Sequence, residues 1–300
     1  YSVDGLPRTI RNLSPYTISL DVNSTADTLI SAAAHGLMVG QKLRAEETGA
    51  GFSITAGTDY WVKTIVSPTE FTIATTSPSG TTVNFTADDT AIDFTVLVGD
   101  VSLEYTGIGG LDTGTKSNST WYYIWAISNG VIDRLLASLS STAPTMPSGF
   151  SYKKLIGACK TNSSGYIISY KQTNDRIQFI KSSSASYDGI QTMASTTQNT
   201  TNDSNDSWSP SGTVVRGTTS FVPPLAHTIE VQAATRGVNL VMVAPNSYYD
   251  GYNGTHPAPI IAYQARSSVV GELLLESDSL YFGLDSNAGR VYCVGFTLSM

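Results

Sequence analysis

Nucleophiles, bases and metal ligands are scarce in this sequence. Its three histidines, His35, His227 and His256, stand far apart. None has a carboxylate or a cysteine at the spacing of a metal site or of a hydrolytic triad, although a triad gathered from distant segments stays open on sequence alone. His35, between Ala34 and Gly36 in a turn, reads as structural. Cys159 and Cys293 are too few for a disulfide framework and too isolated for a zinc knuckle. Each sits in an apolar strand context, I-G-A-C-K and V-Y-C-V-G. Two buried free thiols are expected, with a single disulfide as the alternative.

Glycan cleavage needs two carboxyl groups facing each other across the scissile bond. The candidates are Asp88 with Asp89, Asp203 with Asp206, and Asp278 with Asp285. Consecutive strand residues point to opposite faces, so Asp88 and Asp89 fit a turn better than a catalytic pair, and Asp203 and Asp206 fit a solvated loop. No calcium loop, phosphate loop, dinucleotide fingerprint or G-x-S-x-G elbow is present. Gly107-Ile-Gly-Gly lacks the lysine and the helix that phosphate binding requires. The expectation is a chain with no catalytic residue, no metal ligand set and no cofactor.

The best binding candidate is the segment 246–259, N-S-Y-Y-D-G-Y-N-G-T-H-P-A-P, between two apolar runs. Tyrosine gives a large, rigid, amphipathic contact at low entropic cost, and amides and hydroxyls complement sugars. Tyr248, Tyr249, Asp250, Tyr252, Asn253 and His256 are therefore the candidate surface or receptor contacts. The alternative is that these tyrosines pack under the loop or at a subunit contact.

Composition narrows the partners. The charged fraction is 14%, below the roughly 25% of ordinary globular proteins, and the net charge is −7. No basic stripe exists to neutralise phosphates, so a nucleic-acid partner is not expected. No apolar run reaches the length of a membrane span, so membrane insertion is not expected either.

The elements that must carry these residues are strands. Thr17 to Val22 alternates polar and apolar residues, as do Phe94, Val96 and Val98. Trp121 to Ile127 and Val131 to Leu139 flank Ser128-Asn129-Gly130, a hairpin signal. Alternation of Trp121, Tyr123 and Trp125 with Tyr122, Ile124 and Ala126 predicts a strand buried on both faces. In the last run, Tyr292, Val294, Phe296 and Leu298 are expected on one face. No amphipathic helix is predicted. Turn signals every 8 to 12 residues point to sandwiches or barrels. The expected fold is all-β, with tandem antiparallel sandwich- or barrel-like domains and a small inserted β-module. The expected divisions are a lead-in and strand over 1–22, the small module over 23–92 and a central sandwich over 93–181. A Ser/Thr/Asn-rich linker or long loop follows over 182–217, then a C-terminal β-domain over 218–300.

Two stretches carry a family resemblance. The run G-G-L-D-T-G, the strand W-Y-Y-I-W-A-I, the corner A-P-T-M-P-S-G-F and the strand K-K-L-I-G, within 107–157, resemble a pattern of tail-fibre-type virion structural proteins of tailed bacteriophages. Met146 stands where that pattern usually has Leu. The module at 23–92, with H-G-L-M-V-G and G-T-D-Y-W-V, is similar to a small unit of phage structural proteins. The resemblance implies a non-enzymatic protein exposed on the virion, a homotrimer that contacts other virion proteins and a host surface glycan. It transfers no site residue. A capsule or lipopolysaccharide depolymerase and a cell-surface carbohydrate-binding module are the alternatives.

Overall fold

A computed structural model describes residues 15–35, 37–51, 53–97, 101–103, 106–130, 133–195, 211–235, 240–251, 254–263, 266–284 and 289–300. Among them the only helical segment is one 3-10 turn, Ala185–Tyr187, and none is long and apolar enough to cross a membrane. The rest is strand and turn, so the chain is all-β. It divides into two units, Tyr1–Lys116 with Tyr122–Ile156, and Ser117–Trp121 with Gly157–Met300.

The first unit opens with a closed barrel of β1 (Tyr16–Asn23), β2 (Thr28–Ile30), β3 (Lys42–Ala45), β4 (Asp59–Ser67), β5 (Glu70–Ala74) and β6 (Asp89–Leu97). Their order is β1-β2-β5-β4-β3-β6, and β6 pairs antiparallel with β1 to close it. Closure leaves no edge to pair with another chain. Leu20, Leu29, Leu43, Val62, Phe71, Ile73 and Phe94 fill the interior. The strands expected to flank a separate module, at Val22 and Phe94, are thus the barrel's own closing pair, with Ile18 opposite Phe94. A flanking strand and a closing strand show the same alternation; only their mutual pairing separates them.

The hairpin follows as β7 (Trp121–Ser128) and β8 (Asp133–Ser138), with Ser128 opposite Asp133. Gly130 holds φ at +91°, which glycine adopts without strain. In β7 only Ile124 and Ser128 are even partly exposed, so the strand is buried on both faces. With β9 (Tyr152–Lys160) the hairpin makes a three-stranded sheet in the order β8-β7-β9.

The remaining strands are β10 (Tyr170–Thr173), β11 (Arg176–Phe179), β12 (Gln191–Ser195), β13 (Ser211–Val214), β14 (Ala226–Thr235), β15 (Leu240–Ala244), β16 (Ile260–Tyr263), β17 (Ser268–Leu274), β18 (Ser279–Leu284) and β19 (Gly289–Leu298). One sheet runs β10-β11-β19-β14-β17, with β12 also pairing β19; the other runs β13-β18-β15-β16. β14 packs on β15 and β16, which makes a two-layer sandwich. The stretch 182–217, expected as a linker or long loop, supplies β12 and β13. Each pairs with a single neighbour, and an edge strand needs little apolar surface, which is why the polar sequence concealed them. β19 also departs from simple alternation. Glu230 is opposite Gly295 and Val231 opposite Cys293, so Val294 is an extra residue. A bulge of one residue exchanges the faces: Val291 and Cys293 share the buried face with Phe296 and Leu298, and Tyr292 turns outward.

Candidate binding site

β15 reads LVMVA, and all five residues are buried, so both of its faces need cover. Val241 and Val243 lie beside Ala262, Ile260 and Phe282 across the ladder. Leu240, Met242 and Ala244 point the other way, and there Tyr249 and Ala258 of the following loop pack against them. The loop proposed for recognition therefore folds back over the outer face of its own sheet.

Hydrogen bonds hold it there. The Asn246 side-chain amide donates to Glu276 Oε2 at 2.6 Å, and Asn246 Oδ1 accepts the Tyr248 N–H at 2.9 Å. Asp250 and His256 clasp the two arms: the Asp250 N–H donates to the His256 carbonyl at 2.8 Å, and the His256 N–H donates to Asp250 Oδ2 at 2.8 Å. The His256 ring Nδ1 lies 3.8 Å from the same oxygen. Gly254 packs against this clasp so closely that a Cβ there would fall 2.1 Å from Asp250 Cβ. Asp250 thus has a structural task and Tyr249 a packing one. Tyr248, 89% exposed, is free to meet a ligand, and the His256 imidazole, 79% exposed, flanks the same loop. Tyr252 and Asn253 lie outside the described residues.

The groups considered for catalysis are spent on structure where they are described. Asp88 Oδ1 accepts from the Ser24 N–H and hydroxyl, Asp89 Oδ2 accepts from the Ala50 N–H, and Asp278 pairs with Arg216 at 2.6 Å. Asp203, Asp206 and Asp285 lie outside the described residues. His35 is buried in the barrel, where Nδ1 accepts the Leu37 N–H at 2.9 Å and Nε2 meets the Ser67 carbonyl at 3.2 Å. That pair of contacts fixes the neutral ring with its proton on Nε2. Burial lowers its pKa, with the backbone contacts opposing. Both cysteines are free and buried, and burial pushes each thiol up to about 12. Among the described residues no cluster of His, Cys, Asp or Glu could hold a metal ion.

Lys160 is also buried, which no local pattern in the chain announces. Its ammonium donates to the Ser220 carbonyl at 2.8 Å and to Gln191 Oε1 at 3.4 Å, 5.8 Å from the centre of the Trp121 ring. These partners are neutral, so desolvation dominates and brings the pKa down to about 8.

Sequence reasoning also missed a cleft of about 640 Å³ on the outer face of the β12-β19-β14-β17 sheet. Arg290, Tyr292, Gln232 and Ser268 contribute to it from three strands, and Lys181 and Arg266 from connections. No local pattern announces such a site, because the register of four strands assembles it. Family models, curated proteins and solved structures were all compared with the chain, and none matches it.

Proposed function

We propose that this chain is a non-enzymatic structural protein of a bacteriophage virion, of tail-fibre type, acting in assembly and in attachment to the host surface as a homotrimer. The observation that carries the reading is the way the resembling pieces meet on one side chain. Asp112, from G-G-L-D-T-G, accepts on Oδ2 from the Ser138 hydroxyl at 2.7 Å and from the Thr145 N–H of the A-P-T-M-P corner at 2.8 Å. Its own N–H donates to the Ala137 carbonyl at 2.7 Å. One carboxylate thus ties the glycine-rich turn, the second strand of the hairpin and the proline corner together. An Asp at that position is a fold determinant, which suits a spacer domain. The loop with Tyr248 is the host-facing contact in this reading, and a surface glycan is its ligand.

Native mass measurement of the full chain at micromolar concentration should find a trimer; a clean monomer would sink the assembly part of the reading. Tyr248→Ala should leave the melting temperature unchanged and weaken adsorption of particles to host cells by about tenfold, the scale of one exposed aromatic anchor. Unchanged adsorption removes the loop from recognition.

A further inference from the structure

The cleft on the outer face of the six-stranded sheet has a charge that the rest of the chain does not. Its lining includes Lys181, Arg266 and Arg290 against one carboxylate, Asp188, in a protein whose net charge is −7. Asp188 is already engaged, because it pairs with Lys181 and accepts the Ile190 N–H at 3.1 Å. Among the described residues no carboxylate pairs with Arg266 or Arg290, although guanidinium groups this close to hydroxyls and an amide have partners to gain from an anion.

Register explains the arrangement. Arg290 and Tyr292 are two apart on β19, so they share the outer face about 7 Å apart along the strand. Beside Arg290 stands Ala234, whose small side chain leaves room, and beyond Ala234 stands Ser268. Beside Tyr292 stand Thr192 and Gln232, and Gln232 donates to the Ser268 hydroxyl at 2.8 Å. The floor thus offers a half-exposed aromatic ring, an amide and hydroxyls that both donate and accept, and two guanidinium groups at one end.

We infer that this cleft binds a carboxylated saccharide, a uronic acid unit within an oligosaccharide. Arg290 and Arg266 hold the carboxylate through paired N–H donors, the Tyr292 ring supports the apolar face of the sugar, and Gln232 with Ser268 meets its hydroxyls. The volume falls within the roughly 300–1,000 Å³ of small-molecule sites. A bare phosphate would use the cations but leave the acceptors of the amide and hydroxyls unmatched. The inference stands apart from the virion reading: a monomeric chain would overturn that reading and leave the cleft untouched, and failure of the cleft would leave the trimer intact.

The test is calorimetric titration of the full chain with trigalacturonate, with its carboxyl-reduced neutral counterpart and with glucose 6-phosphate. Trigalacturonate should bind, more weakly as salt is raised, and the neutral trisaccharide at least about tenfold more weakly. Arg290→Ala and Arg266→Gly should each weaken binding by about tenfold or more. Arg266 holds φ at +60°, where glycine is at ease, so Arg266→Gly should keep or raise the melting temperature while losing affinity, which separates binding from folding. Equal binding of the neutral sugar, no binding of trigalacturonate at millimolar concentration, preference for glucose 6-phosphate, or wild-type affinity in Arg266→Gly overturns the inference.

Discussion

The barrel and the C-terminal sandwich are made of the same short antiparallel strands and both pair many of their charges, yet among the described residues the sandwich alone is seen to keep cations without a charged partner around a cleft. In the barrel several charged groups are answered within a few ångströms. Asp59 takes Lys42 at 2.9 Å and Arg44 at 2.8 Å. Its partial burial works against the charge, but the two cations outweigh that and keep the carboxyl below its usual range. Thr28 donates to Glu70, and Asp27 accepts the Phe85 N–H. In the sandwich, by contrast, Arg266 and Arg290 line a cleft whose one carboxylate, Asp188, is paired with Lys181, and Lys160 is buried among neutral acceptors. The barrel matches these charges as it closes; the open sheet face holds two guanidinium groups in reserve for a ligand. That difference predicts where substitutions cost stability and where they cost binding.

The largest contrast comes from truncating one residue in each region. Phe94 is fully buried in the barrel, in edge contact with Tyr60 at 6.2 Å between ring centres. Phe94→Ala should lose about 3–5 kcal/mol, the transfer free energy plus the cavity. Arg290→Ala, on the open face, should change stability by less than about 0.5 kcal/mol. Urea unfolding monitored by tryptophan fluorescence measures both. Comparable losses would mean that the cleft arginine is a structural residue and the contrast is false.

Lys160 gives the next effect, and its sign is the informative part. Its pKa falls from 10.5 in the open chain to about 8 in the fold. Below about pH 8 the fold therefore carries the full cost of a buried ammonium, and the cost is relieved as pH rises to about 10.5. Lys160→Met should stabilise the protein at neutral pH by about 1–3 kcal/mol, because an apolar side chain of similar length needs no solvation. The Ser220 carbonyl keeps the Trp121 indole N–H at 2.9 Å, so no acceptor is orphaned there. The advantage should shrink between about pH 8 and 10.5. Comparing the two proteins between about pH 8 and 9 keeps clear of the buried thiols, which act oppositely: their raised pKa values destabilise the fold as pH climbs above about 9, and the charges of the Cys293 thiol and Lys160 act on each other. A destabilised Lys160→Met would make the ammonium a net fastener of the Ser220 turn.

What the sequence made legible follows the same division. Alternation and turn residues located β1, β6 and the β7–β8 hairpin, because short local signals specify them. Barrel closure was not legible, since nothing local says that Thr17–Val22 and the run at Phe94 pair with each other. β12 and β13 were hidden by their polarity. At the candidate loop, a usable signal was present: a continuous run such as LVMVA is buried on both faces, so some segment had to cover Leu240, Met242 and Ala244. That requirement separates Tyr249, which packs, from Tyr248, which does not. The cleft was the hardest to see. Alternation counted back from Leu298 puts Tyr292 inside; the bulge at Val294 puts it outside, beside Arg290.

The smallest effect tests the barrel side of the comparison. His35 packs edge-on against Phe71, with ring centres 5.0 Å apart, and both ring nitrogens have partners. Protonation of Nδ1 would break the bond from the Leu37 N–H, so the fold favours the neutral ring, in keeping with the lowered pKa. The sign follows from proton counting. In the unfolded chain the imidazole takes up a proton near pH 6.5, whereas in the fold it resists until lower pH, so stability is complete above about 6.5 and declines as pH falls further. The decline attributable to this one ring is bounded by the span between about pH 6.5 and pH 5, about 2 kcal/mol at most. Unfolding free energies at pH 7 and pH 5 should therefore converge in His35→Gln relative to the parent protein, whatever the substitution itself costs at pH 7. His227 and His256 are common to both proteins and cancel. An unchanged difference between the two pH values would show that the ring is not held neutral, and that the barrel tolerates a buried charge as the sandwich does at Lys160.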